Sequence, residues 1–440
     1  MKRIFLLLFF SLQLVQAQNY TVKGIFIDSI HKIQNVALYQ LLNGEKQYKK
    51  YVQVKKDTFQ FSMEQLPTGS YRALYKNVNS GYVDFIYDKE NVTFSVHSKV
   101  GQPSVNYIES RENQLLDAYD YNMSVLQHKL DSIQFAYFKN PTSDVTTYQE
   151  VQAKITGAQQ YYENLAKDDY CLAWIKASKK YNAPLPFSLP GDYIESATKH
   201  YFDYVNFDDK RLSNTDFLNK KIAEYVFQYH QYKDIGVQNK AFVNAIESVL
   251  SKITKPDVKE NILRYLIQEL VAKENREVLN KVMDSYKALP KNIQNYTFVK
   301  ETEQFKKTML GVVAPNIQLS KSETLHSLPP NNNKYLLIFW SSTCSHCLKE
   351  LPKVKQLLAN KTEIQVIAIG LEKKEDEQNW KVESNKFLEW KHSISLEKWN
   401  SKAANAYNIS STPSYFLLNS DKRIMAKPHN LKELELVLKH

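Results

Sequence analysis

Two cysteines, Cys344 and Cys347, are the residues of this 440-residue chain whose type and spacing most directly suggest chemistry. A Cys-x-x-Cys pair can be half of a zinc site, a structural staple, or a dithiol that opens and closes by exchange with other thiols. A zinc site needs two more ligands. The sequence offers no second Cys pair, only the solitary Cys171, and its His residues are dispersed. Neither zinc nor a staple accounts for where the pair sits, between an apolar run of strand character, Tyr335 to Trp340, and a segment of helical character, Cys344 to Asn360. A thiol at a helix N-terminus faces free N–H groups and the positive end of the macrodipole, which stabilise its thiolate and lower its pKa. Cys344 is therefore expected to attack. Cys347, one turn further on and more buried, is expected to close the disulfide and resolve mixed disulfides. Ser345 and His346 lie between them as tuning residues. A protonated or hydrogen-bonding His346 stabilises the Cys344 thiolate and makes the disulfide more oxidising.

The elements around the pair read as a βαβ-type pattern that begins after Gly311-Val312-Val313-Ala314-Pro315. Ile364 to Leu371 is a second strand and Glu375 to Trp390 a second helix. Ser414 to Leu418 and Arg423 to Ala426 flank a turn, and Leu431 to Leu438 closes as a helix. Upstream, residues 20–100 alternate polar and apolar in short stretches such as Tyr20 to Phe26, Thr58 to Met63 and Val92 to Val96, which predicts an antiparallel, sandwich-like β domain over 18–105. From about residue 108 the period changes to three or four: Leu115, Tyr119, Met123, Leu126, Leu130, Ile133 and Tyr137, then Val151, Ile155, Ala158, Tyr162 and Leu165. Two such faces around Asn140-Pro141 predict a helical hairpin opening an all-α region over 106–306, followed by an α/β domain over 307–440. Cys171, in the apolar stretch Cys171-Leu172-Ala173-Trp174-Ile175, reads as a packed small residue.

Residues 307–440 resemble the TlpA/ResA group of extracytoplasmic thioredoxin-like proteins. Ala314-Pro315-Asn316-Ile317-Gln318-Leu319 resembles the group's opening motif, and Phe339-Trp340-Ser341 stands where the group has Phe-Trp-Ala. Cys344 to Pro352 has the form C-x-x-C-x-x-E-x-P, and Thr412-Pro413 resembles the cis-proline loop. The resemblance implies a thiol–disulfide oxidoreductase in which Thr412, Pro413 and Trp340 bind substrate. It also implies that Glu350 exchanges a proton with Cys347, because Ile338 occupies the place where thioredoxins proper carry a buried carboxylate. Burial on the turn beneath the pair would raise the Glu350 pKa toward a useful range. The chain departs from the group in its Ser345-His346 dipeptide and in Thr343, where an aromatic is usual. Pro352 is expected to kink the helix. The order of the front regions, β-rich then helical, resembles exported proteins that carry an uncharacterised β module before a TlpA-like end.

Lys2 and Arg3, the apolar run Ile4 to Val15 and the site Val15-Gln16-Ala17 read as a signal peptide over 1–17, cut after Ala17. The run is shorter than the roughly 20 residues that span a bilayer, and no Cys follows it to take a lipid. An exported, periplasmic protein without a stable membrane span is the expectation. The net charge of +11 comes from basic residues interspersed with Glu and Asp, without the dense stripe that nucleic acid requires. The partners expected are protein thiols and disulfides together with a redox partner. No metal or organic cofactor is implied, the redox group being the Cys344–Cys347 disulfide itself. Two rival readings are a non-catalytic binding or scaffold protein with a structural disulfide, and a thiol peroxidase. The latter needs a Pro-x-x-x-Thr-x-x-Cys pocket that neither Cys344 nor Cys347 has.

Overall fold

The computed structural model describes residues 19–27, 33–76, 80–97, 104–142, 145–329 and 334–439. The expected signal peptide, Met1 to Ala17, lies outside them. The chain divides into two compact units, Met1–Tyr265 and Leu266–His440. Among the described residues no helix is long and apolar enough to cross a membrane.

The first unit begins with eight strands: β1 (Thr21–Ile27), β2 (Asn35–Leu42), β3 (Glu45–Gln53), β4 (Thr58–Ser62), β5 (Gly69–Lys76), β6 (Ser80–Tyr87), β7 (Val92–His97) and β8 (Ser104–Glu109). They form two four-stranded sheets, β4-β1-β7-β8 and β3-β2-β5-β6. Alternation drives both: Val22 and Phe26 of β1 and Phe59 and Phe61 of β4 point into a core shared with Leu38, Tyr71 and Phe85 of the other sheet. Phe26 meets Phe59 at 5.6 Å and Tyr75 of the facing sheet at 5.0 Å. The pairings are antiparallel except for β1 with β7, which run parallel, so the expected antiparallel module is mixed at that pair.

Helices follow: α1 (Arg111–Lys139), α2 (Thr146–Leu165), α3 (Leu172–Ser178), α4 (Pro190–Lys199), α5 (Lys210–Ser213), α6 (Phe217–Phe227), α7 (Ile235–Ser251) and α8 (Pro256–Ala272). α1 starts where Ser110 accepts the Asn113 N–H, an N-cap that satisfies one of the free donors of the first turn. Leu130 packs against Tyr148, Val151 and Ile155, while Tyr119 donates to Gln159 at 2.9 Å, so α1 and α2 form an antiparallel hairpin. Cys171 is fully buried, as expected of a packed residue, and burial together with nearby Glu112 pushes its thiol up to about 12.

The second unit carries α9 (Arg276–Lys287), α10 (Tyr296–Lys306), β9 (Lys334–Trp340), α11 (Ser345–Leu358), β10 (Ile364–Leu371), α12 (Glu377–Ser384), β11 (Lys391–Ser395), α13 (Lys402–Ala406), β12 (Ser414–Leu418), β13 (Ile424–Ala426) and α14 (Leu431–Val437). Its sheet runs β11-β10-β9-β12-β13, with β9, β10 and β11 parallel and β12 antiparallel to both of its neighbours, β9 and β13. β9 is central and, after Lys334, apolar and buried, as a strand covered on both faces must be. Tyr335, Leu337 and Phe339 face one side, with Ala404 of α13 and Tyr407. Leu336, Ile338 and Trp340 face the other, with Cys347, Leu351 and Val354 of α11 and Leu434 of α14. Burying an aliphatic side chain of this kind contributes about 1.5–3 kcal/mol. The second face is what fixes α11 against the sheet.

Candidate active site

The register of the central strands brings distant parts of the sequence together at one end of the sheet. β9 ends at Trp340 and α11 begins at Ser345, so the chain crosses from strand to helix at Ser341–Cys344. Ser414 of β12 pairs with Phe339 in antiparallel register, which sets the preceding Thr412-Pro413 beside that crossing. The Thr412–Pro413 peptide bond is cis.

Cys344 is the N-cap of α11, a position that usually holds an oxygen. Its Sγ accepts the Cys347 N–H at 3.2 Å and lies 3.5 Å from the Thr412 carbonyl oxygen, to which the thiol can donate. Burial alone would push the Cys344 thiol up. Hydrogen bonds from the Cys347 thiol and N–H, from Thr412 and from the His346 N–H outweigh it, so the thiol is held below its ordinary range. Cys344 is partly exposed, whereas Cys347 is fully buried. Burial first, and then the hydrogen bond to Cys344, push the Cys347 thiol up to about 12, with the Ser341 N–H pulling the other way. Both cysteines stand as free thiols.

Glu350 lies on α11 two turns from its start and is only 8% exposed. Its Oε1 accepts the Tyr415 hydroxyl at 2.7 Å, and its Oε2 lies 3.0 Å from Nε2 of His346, one helical turn back. Burial and then the bond to Glu350 hold the Tyr415 phenol well above its ordinary range, so it remains a donor. Ser345 and His346 are exposed on the first turn. Pro352 lies inside α11 and cannot donate to the Leu348 carbonyl.

The structure thus gathers Cys344, Cys347, His346, Glu350 and Thr412-Pro413 at one end of the sheet. Trp340 is corrected: it is completely buried in the core behind α11, so its side chain cannot touch a protein substrate and instead supports Cys347 from beneath. Two residues were missed by sequence reasoning. Tyr415, two residues after Pro413, had no signal beyond that spacing. Glu372, completely buried just past β10, accepts hydrogen bonds from the Ser342 N–H and, at 3.0 Å, from Ser341 Oγ. A carboxylate closing the apolar run Ile364 to Leu371 was its visible signal.

Residues 332–424 match a family model described as thioredoxin-like, and the C-terminal part of the chain is a thioredoxin-like domain. No curated protein matches the chain. Among solved structures, a thioredoxin-like protein from Bacteroides caccae is 21% identical, the match covering 59% of this chain and 97% of that one with a TM-score of 0.43. A thiol-disulfide oxidoreductase from Bacteroides fragilis is 26% identical over 29% of this chain and 97% of its own, with a TM-score of 0.26. A thiol:disulfide interchange protein from a Bacteroides species is 20% identical over 30% of this chain and 90% of its own, also with a TM-score of 0.26.

Proposed function

We propose that the C-terminal domain is a thiol–disulfide oxidoreductase that exchanges the Cys344–Cys347 dithiol with disulfides of client proteins outside the cytoplasm. The observation that carries this reading is the contrast between the two thiols. Cys344 is reachable, caps a helix and has a lowered pKa, while Cys347 lies directly behind it, buried and protonated. A structural staple needs no such asymmetry, whereas an attacking and a resolving thiol do.

In the reducing direction the Cys344 thiolate attacks one sulfur of a client disulfide. The S–S bond breaks, a mixed disulfide forms and the first client thiolate leaves. Cys347 then loses its proton and attacks Cys344 Sγ. This closes the Cys344–Cys347 disulfide and releases the second client thiolate; the client gains two electrons and the pair loses two. The reverse sequence oxidises a client dithiol. Glu350, held by Tyr415 and facing His346, takes and returns the Cys347 proton, and the Thr412-Pro413 loop beside Cys344 aligns the client chain. The apolar run and small-residue site at Met1 to Ala17 support export, and exported compartments are where disulfide exchange with folded clients is needed.

Removing the resolving thiol tests the assignment. Cys347→Ser is expected to accumulate Cys344-linked mixed disulfides with client proteins, seen as reducible adducts on non-reducing gels. Cys344→Ser is expected to form none. Equal capture by both variants would reverse or erase the two roles.

A further inference from the structure

The parallel register that pairs Trp340 with Gly370 has a consequence two residues on, where Ser342 and Glu372 leave their strands side by side. Glu372 is completely buried, and Ser341 and Ser342 are each 2% exposed. One carboxylate oxygen accepts the Ser342 N–H and the other accepts Ser341 Oγ at 3.0 Å. Asn379 of α12 secures the same peptide from the other side, its Nδ2 donating to the Ser342 carbonyl at 3.2 Å and to Ser342 Oγ at 3.1 Å. Glu372 is itself fixed in the sheet: its N–H donates to the Ser395 carbonyl at 2.9 Å, and its own carbonyl accepts the Lys398 N–H at 3.0 Å.

We propose that Glu372 is a positioning residue for the cysteine pair, acting through Ser341 and Ser342 on the geometry of Cys344 and Cys347. This rests on the redox reading above and adds a residue to it. The route is short. The Ser341 carbonyl accepts the Cys344 N–H at 3.1 Å, so Ser341 sets where the helix cap begins. The Ser341 backbone also works against the burial that raises the Cys347 pKa. Ser341 Oγ also lies 3.0 Å from Thr343 Oγ1, which ties in the residue just before Cys344. The buried side chain presents two oxygens to one dipeptide, one to the Ser342 N–H and one to Ser341 Oγ, so both ends of the crossing are held at once. Burying a carboxylate is costly, and burial pushes the Glu372 pKa up against the bonds from Ser342 and Ser341 that lower it. With the dipeptide released, the Cys344 sulfur loses its aim at the N–H groups of the first turn, and its thiolate is less stabilised.

The test is the pH profile of iodoacetamide alkylation at Cys344 in the full reduced chain, read site by site by mass spectrometry. Glu372→Ala removes both acceptors and is expected to raise the Cys344 pKa, read as up to about tenfold slower alkylation at pH 7. Glu372→Gln keeps the shape and an acceptor for the Ser342 N–H but removes the charge, and is expected not to slow alkylation. Ser341→Ala deletes one donor without emptying the site, and about two- to threefold slowing is expected. It decides the matter if Glu372→Ala does not fold. A wild-type profile in Glu372→Ala, or in Ser341→Ala if only that variant folds, overturns the proposal. So does equal slowing in the Gln and Ala variants, since the residue would then act through its charge. If the wild-type thiols never form the Cys344–Cys347 disulfide on oxidation, the redox reading fails. The difference between the Ala and Gln alkylation profiles still decides the positioning role independently.

Discussion

At the scale of single residues, the proposed exchange turns on where one proton goes. Cys347 is buried with its thiol pushed up to about 12, so at neutral pH it cannot attack Cys344 until a base takes its proton. Glu350 is the carboxylate proposed for that task, held by Tyr415 at 2.7 Å and facing His346 at 3.0 Å. Glu350→Gln keeps volume and polarity, so the fold is expected to survive while the resolving step slows by about 100-fold, the usual scale of a lost general base. The pH profile follows from the sign of the Cys344 shift. Its thiolate persists above its lowered pKa and is lost as pH falls through it, so the acid limb of the exchange rate belongs to Cys344 and should remain in the variant, at a lower overall rate. Stopped-flow exchange with a small dithiol between pH 5 and 9 measures both, and an unchanged rate and profile would return Glu350 to a purely structural role. Cys344, Cys347, His346 and Glu350 were legible because they share one helix and one short motif. Tyr415 was not, and Glu372 showed only as a carboxylate closing an apolar run, because strand register alone brings both to the site.

At the scale of elements, close packing at the sheet makes a sharp contrast between two glycines. A Cβ on Gly370 of β10 would lie 2.2 Å from Trp380 Nε1, while a Cβ on Gly157 of α2 would meet nothing within 4 Å. Gly370→Ala is therefore expected to destabilise the C-terminal domain by about 1–3 kcal/mol through overpacking. Gly157→Ala is expected to stabilise its helix by about 0.5–1 kcal/mol. Urea denaturation midpoints of the two variants should move in opposite directions, and a shared direction would contradict the packing described. The elements that sequence reasoning recovered are those with one strong period: the alternating β1, β4 and β7, the apolar β9 and β10, and the striped α1 and α2. Those it missed lack that signal for physical reasons. β3 is a sheet edge rich in Lys and mostly exposed, a composition that discourages edge-to-edge pairing but hides the strand. β11 is likewise a short polar edge. In β5 the alternation is masked by Arg72, buried because it pairs with Asp84 at 2.6 Å and Asp216 at 2.7 Å. The helix expected over Glu375 to Trp390 is a shorter α12 followed by a tight turn at Asn385–Phe387, where Phe387 and Trp390 stack at 4.5 Å.

At the scale of the whole molecule, the proposal of disulfide exchange in an oxidising compartment joins a thioredoxin-like domain to first residues that read as an export signal. Mass spectrometry of the protein from its native host is expected to find a mature start near Gln18, and a retained Met1 would contradict export. The β-rich and helical regions are proposed to choose the client or position the redox end. All of this depends on the cysteine pair being an exchanging couple rather than a fixed bond, and one measurement asks that directly. The full chain is equilibrated in dithiol–disulfide buffers of graded potential, trapped by acid and alkylation, and the Cys344–Cys347 peptide is quantified by mass spectrometry. A single reversible two-electron transition is expected at a potential above about −300 mV, the range of exchanging rather than structural disulfides. A pair that stays oxidised below that potential, or that never closes into a disulfide at any potential, would contradict the proposed exchange.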